Sequence, residues 1–116
     1  IVDAGMNDLL RPPLYNAYHP IKEVFYNNND KAICDVVGPV CETADFLGKN
    51  RSLSLAKGDY IVVECVGAYG FTLSSNYNTR LKSAEYLIIK GTGNIIKIRE
   101  RDTIGQILEN ETKCLS

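Results

Sequence analysis

Short apolar runs separated by turn residues recur along the whole chain, and no long helical pattern comes between them. The clearest is Tyr60-Ile61-Val62-Val63-Glu64-Cys65-Val66, entered from the turn Lys57-Gly58-Asp59. Residues 21–26 read as a strand closed by the polar turn Asn27-Asn28-Asn29-Asp30, and residues 31–41 as a second strand with Gly38-Pro39 near its end. Proline cannot donate to a central ladder, so that end is an edge, a bulge or a strand exit. Residues 84–90 and 94–101 flank Gly91-Thr92-Gly93 as a hairpin. Parallel strands need long crossovers, usually helical, so this pattern predicts a mostly β chain folded as an antiparallel barrel or sandwich. One or two short helices are expected. The first lies around Asn7–Ala17, where Pro12-Pro13 limits it to a broken turn. The second is capped at Asp102 or Thr103 and runs through Ile104, Ile107 and Leu108.

A chain of 116 residues is one domain of ordinary size. Its net charge of −1 gives no attraction to nucleic acid or to an anionic membrane, and no apolar run approaches the roughly 20 residues of a membrane span. The four cysteines show neither CxxC nor zinc-finger spacing, and His19 is the single histidine, so no metal site is expected. Cys34 and Cys65 fall inside apolar strand patterns and read as small buried thiols of a reducing, cytoplasmic compartment. His19, just before Pro20, reads as a surface or packing residue. The chain opens on Ile1, and Ile1-Val2-Asp3-Ala4-Gly5 reads as the end of a strand whose start is absent, so a fragment is expected.

Chemistry concentrates where strands end, because loops deliver side chains from a rigid scaffold. In Gly38-Pro39-Val40-Cys41-Glu42-Thr43-Ala44-Asp45-Phe46-Leu47-Gly48 a thiol stands beside a carboxylate, after an apolar run and before a glycine-bounded turn. A carboxylate disfavours a second negative charge nearby, so a thiol in that place keeps a proton to give. A buried thiol and a solvated loop acid are the plain alternatives. Neighbours along an extended segment point to opposite sides, so Cys41 and Glu42 can share one substrate only if the chain turns there. Arg11 and Tyr15 are four apart, which puts them on one side of a helical segment. An arginine fork matches a carboxylate and a tyrosine adds a directional hydroxyl; a surface arginine and a packed tyrosine are the alternative. Tyr69 lies in Gly67-Ala68-Tyr69-Gly70, a loop whose small residues let a ligand approach closely, and its plain alternative is a rim aromatic.

The words VDAGMND (from Val2), RPxLY (Arg11–Tyr15), CExxDFLG (from Cys41) and GAYG (from Gly67), in this order, resemble the carboxy-terminal part of the diaminopimelate decarboxylase family. These are fold type III decarboxylases that use pyridoxal 5'-phosphate. The resemblance runs from about Val2 to about Arg101, and Pro13 departs from the family's more frequent alanine. It implies decarboxylation of meso-2,6-diaminopimelate to L-lysine and carbon dioxide, the last step of lysine biosynthesis. It implies that Cys41 is the catalytic proton donor, that Glu42 holds a substrate amino group, and that Arg11 and Tyr15 bind the distal carboxylate. Tyr69 is implied to reach both substrate and cofactor. The GAYG loop is no GxGxxG cradle, which needs a following helix. The principal phosphate site must therefore lie elsewhere, and the resemblance implies that it and the cofactor's lysine sit on an amino-terminal (β/α)8 barrel that precedes residues 1–116. The family's homodimer, with its site at the subunit interface and the cysteine loop donated across it, is implied as well. The fragment alone is expected to be inactive.

Three alternatives stand beside this reading. A related decarboxylase acting on ornithine, arginine or carboxynorspermidine would share the fold but lack the combination of CExxDFLG and RPxLY. A catalytically silent regulatory homologue would have no use for intact Cys41, Glu42, Arg11 and Tyr69. A β-barrel adaptor would explain none of these words.

Overall fold

The computed structural model describes every residue except Asn27, Asn29 and Ser116, and for Ala68 the backbone alone. The expected turn over Asn27–Asp30 therefore lies partly outside the described residues. Contacts divide the chain into two compact units, Ile1–Ser74 and Ser75–Ser116.

The first unit holds helix α1 (Arg11–Tyr15), strands β1 (Ile21–Glu23), β2 (Ala32–Val37), β3 (Phe46–Leu53) and β4 (Ile61–Val63), and helix α2 (Gly67–Thr72). β1 pairs with β4 and β2 with β3, both antiparallel, with Ile21 opposite Val63 and Ala32 opposite Leu53. Antiparallel pairing is as expected, and the described residues close no barrel. Leu9, Ile21, Val36, Leu47 and Leu53 form the buried core, with Val2, Cys34, Ile61 and Val66 packed against it. α1 packs on β3. Its two prolines sit in the first turn, where helix amides have no intrahelical acceptor, and Asn16 ends it in the left-handed region at φ 52°.

Several expectations need correction. β3 is the longest strand, yet Phe46-Leu47-Gly48 reads in sequence as part of a turn. Lys49-Asn50-Arg51 breaks its alternation because the ladder carries an extra residue there. Cys34 faces Arg51 and Val36 faces Gly48, Asn50 has φ 54°, and its N–H donates to Asp35 Oδ1 at 2.8 Å. A second irregularity follows between Val36 and Val37, which faces Phe46, and Leu47 and Leu53 are both buried on either side of the polar residues. The strand expected over 60–66 shortens to Ile61–Val63, and Cys65 lies beyond it, exposed and at φ 59° rather than buried. Cys34 is half-buried, and all four thiols are free. Helices number more than the one or two expected, and Gly67-Ala68-Tyr69-Gly70 is helical rather than a loop. His19 packs, buried, with Nδ1 3.1 Å from the Glu64 carbonyl.

The expected strand at Ile1–Gly5 is reduced to one sheet-like bond, Val2 N–H to the Val37 carbonyl at 2.9 Å. From there the chain is held by a side chain. The buried Asp45 carboxylate accepts from Met6 N–H at 2.6 Å through Oδ1 and from Val40 N–H at 2.5 Å through Oδ2. A Cβ on Gly38 would stand 2.5 Å from Asp45 Oδ1 and 2.6 Å from the Gly5 Cα, so these backbones close on the carboxylate only because both residues lack side chains.

The second unit carries the hairpin of β5 (Glu85–Ile88) and β6 (Ile95–Arg99), turned through Gly91 and Gly93 at φ 97° and 71°. Asp102 Oδ2 accepts from Asn76 Nδ2 at 3.1 Å and from Lys82 N–H at 3.2 Å. The helix expected after Asp102 appears as α3 (Ile104–Ile107) and α4 (Glu109–Lys113), and Thr103 opens it with a full capping box with Gln106. No helix among the described residues is long and apolar enough to cross a membrane.

Two stability measurements follow from this packing. Gly38→Ala drives a Cβ into the buried carboxylate and should destabilise the protein by about 1–3 kcal/mol. Gly105→Ala, inside α3 with no heavy atom closer than 3.9 Å, should stabilise it, by about 0.5–1 kcal/mol. Denaturation midpoints moving in opposite directions check both. The Glu23 carboxyl lies below its ordinary value of 4.5, chiefly because Ser54 N–H donates to it at 2.7 Å. A depressed folded-state value stabilises above the unfolded value, and the benefit is lost as pH falls through the folded one. Glu23→Gln should therefore destabilise at neutral pH, and the gap to the unsubstituted protein should close as pH falls through the lowered folded-state value.

Candidate functional site

Both clusters singled out from the sequence lie in the first unit. Cys41 and Glu42 ride on the loop 38–45 that joins β2 to β3, and both are exposed. The loop turns where a shared substrate requires it: Glu42 N–H donates to the Val40 carbonyl at 2.8 Å, and Asp45 N–H to the Glu42 carbonyl at 3.1 Å. Val40 is buried immediately before the exposed thiol, so the loop is pinned on one side of Cys41 and open on the other. A depression of about 630 Å³ lies alongside, with Asp35, Cys41, Glu42, Thr43 and Lys49 on its wall. Lys49 Nζ stands 4.2 Å from the centroid of the Phe46 ring.

Arg11, Tyr15 and Tyr69 form the second cluster. Arg11 Cζ lies 5.1 Å from the Tyr69 ring centroid and 6.0 Å from that of Tyr15. The helical spacing of α1 explains the contact with Tyr15; α2 brings in Tyr69. Gly70 N–H donates to the Val66 carbonyl at 2.8 Å, and Ser74 closes the helix on the Phe71 carbonyl with its N–H at 3.0 Å and its hydroxyl at 2.6 Å. Those end bonds make a helix of a segment whose glycines disfavour one. Arg11 is half-buried, and its Nε is buried with no hydrogen-bond partner, whereas both rings remain largely exposed. An arginine held between rings keeps its planar edge for an incoming acceptor.

The structure thus joins Arg11, Tyr15 and Tyr69, and joins Cys41 and Glu42, but the depression beside Cys41 includes none of the first three on its wall. Asp45 is the residue that sequence reading passed over. Its signal was present: an acid three positions after Glu42, at the threshold of an apolar pair, with glycines at 5 and 38. Asn7 is also buried, and neither of its side-chain polar atoms has a partner.

Residues 1–67, which include the Asp45 anchor, Arg11 and the Cys41 loop, match the family model described as pyridoxal-dependent decarboxylase, C-terminal sheet domain. The chain belongs to that family. Among curated proteins it is similar to diaminopimelate decarboxylase of Neisseria meningitidis serogroup A, 47% identical over 99% of this chain and 28% of that protein. The enzyme of the same name from Haemophilus influenzae is 54% identical over 86% of this chain and 24% of its own length. The chain therefore spans about a quarter of the length of these relatives. Among solved structures, diaminopimelate decarboxylase from Helicobacter pylori complexed with L-lysine superposes with a TM-score of 0.88 at 42% identity, over 97% of this chain and 28% of that one.

If the stacking around Arg11 is energetic as well as geometric, Arg11→Leu and Tyr69→Leu should not be additive. A double-mutant cycle on denaturation free energies should show a coupling of about 0.5–1 kcal/mol.

Proposed function

We propose that this chain is the carboxy-terminal part of a cytoplasmic, homodimeric diaminopimelate decarboxylase, which converts meso-2,6-diaminopimelate to L-lysine and carbon dioxide with pyridoxal 5'-phosphate. The observation that carries this reading is the pairing of an exposed Cys41–Glu42 turn with an arginine held edge-free between Tyr15 and Tyr69, in a chain whose curated relatives are named diaminopimelate decarboxylase. A substrate with an amino-acid group at each end needs both clusters. Arg11 and Tyr15 bind the distal carboxylate, Glu42 takes a substrate amino group, and Cys41 faces the carbon that loses carbon dioxide.

The residues present fit one edge of the cofactor. Tyr69 offers an exposed aromatic face over Arg11, whereas its helix of six residues is no phosphate cradle. The phosphate and the cofactor's lysine belong to an amino-terminal (β/α)8 barrel. Pyridoxal phosphate, when bound, draws electrons from the carbon that releases carbon dioxide. This chain's part is the proton: the Cys41 thiol gives its hydrogen to that carbon, and the sulfur regains one from water. Tyr69 shields that face, and Arg11 sets how far along the substrate the reacting carbon lies.

We read the two clusters of one chain as serving two different sites, each completed by the partner subunit, a reading supported by the absence of Arg11 and Tyr69 from the wall of the depression at Cys41. Full-length protein with Cys41→Ala should lose kcat far more than it raises KM for diaminopimelate. Arg11→Ala should weaken substrate binding by about 2–5 kcal/mol and leave cofactor retention nearly intact. Mixing Cys41→Ala subunits with subunits lacking the cofactor's lysine should restore activity toward about a quarter of the unsubstituted enzyme, since half of randomly paired dimers are mixed and each holds one intact site of two. No lysine from the unsubstituted enzyme would refute the activity. No recovery in dimers shown to be mixed would refute the shared site.

A further inference from the structure

A loop that presents a proton donor must hold it more rigidly than an exposed irregular segment holds itself. Misplacing a reacting group by about 1 Å can cost on the order of a hundredfold in rate. Cys41 and Glu42 have no strand ladder and no disulfide to hold them. Glu42 N–H bonds the Val40 carbonyl within the turn, and Asp45 holds that turn from either side. Its carboxylate takes the N–H of Val40, the residue directly before the thiol, and the N–H of Met6, from a segment distant in sequence. Its own N–H returns to the Glu42 carbonyl at 3.1 Å, and its carbonyl accepts Gly38 N–H at 3.0 Å. Every end of the Gly38–Asp45 loop is therefore tied to one buried residue. Two absent side chains, at Gly5 and Gly38, make room for it.

We propose that Asp45 is a positioning residue for the Cys41–Glu42 turn, its buried carboxylate fixing where the thiol and the Glu42 carboxylate stand. This rests on the roles given above to Cys41 and Glu42. Asp45 borders the depression beside Cys41 but is itself buried, and it acts through the backbone on either side of the turn. An asparagine in its place keeps one acceptor oxygen and sets an amide NH2 against the second backbone N–H. One of the two ties is then lost while the volume is kept. The Val40 tie governs the thiol most directly, because a single peptide unit separates them.

The test uses the full-length protein without substrate. Iodoacetamide labelling of Cys41, mapped by mass spectrometry so that Cys34, Cys65 and Cys114 are read separately, reports the thiol's presentation independently of turnover. In Asp45→Asn the Cys41 rate should rise about threefold or more, while kcat falls about tenfold or more. The control is Asp59→Asn, the same substitution at a carboxylate that accepts a backbone N–H, that of Ala56 at 2.8 Å, in the turn before β4. It should change stability without changing Cys41 labelling or kcat. Equal labelling in Asp45→Asn and the unsubstituted protein, or an equal rise in Asp59→Asn, would overturn the proposal. Should Asp45→Asn fail to fold, hydrogen exchange of the unsubstituted protein decides. The Val40 amide should exchange about tenfold or more slowly than that of Cys41, and equal rates would overturn the proposal. Labelling and exchange stand apart from the activity, so a protein that makes no lysine yet shows both effects would refute the decarboxylase reading and leave Asp45's role intact.

Discussion

The Asp45 carboxylate is the interaction on which the first unit depends. Buried charge is costly unless every oxygen finds a donor, and here both oxygens do, from Met6 and Val40. Satisfying that one group ties the opening segment, 39 positions away in sequence, to the loop between the exit of β2 and the entry of β3. Leu9 and Leu47, which follow Met6 and Asp45 closely in sequence, lie in the common core. Placing the carboxylate therefore also sets the register in which the apolar side chains meet. The absence of Cβ atoms at Gly5 and Gly38 is part of the same device, because either would stand within about 3 Å of the carboxylate.

Much of the second unit was legible because its rules are local. Thr103 announces a helix start through its own side chain, and Gly91-Thr92-Gly93 announces a reversal through backbone freedom. The Lys57–Asp59 turn is local in the same way: Asp59 closes it on Ala56 by two hydrogen bonds. β3 was not legible, since a strand with a bulge loses the period of two by which strands are recognised. Lys49-Asn50-Arg51 looks like loop until Asp35, on the neighbouring strand, is seen to take the Asn50 amide. The GAYG helix failed for the opposite reason: its composition opposes helix, and the bonds made by Gly70, Leu73 and Ser74 override it.

The site shows the same division. The pairing of Arg11 with Tyr15 follows from helical spacing and was readable, and Tyr69 joins them only through the placement of α2. Cys41 and Glu42 stand out in the sequence as a thiol beside a carboxylate, and the need for a turn between them follows from backbone geometry. Asp45 could be read as part of a family word but not as an anchor, because its partners Met6 and Val40 become neighbours only in the fold. The separation of the cysteine loop from the arginine cluster is likewise a property of the fold.

The claim at the centre of this reading is that Cys41 delivers the proton to the carbon that loses carbon dioxide. Turnover of meso-diaminopimelate by the full-length protein in D2O, with the lysine product analysed by NMR, tests it most directly. A thiol held on one side of the substrate delivers one deuteron to one face, so the unsubstituted enzyme should give monodeuterated lysine of a single configuration. Cys41→Ala, with its cofactor still bound, should give far less product and of mixed configuration. Product from Cys41→Ala formed at the unsubstituted rate and with the same single configuration would contradict the assignment.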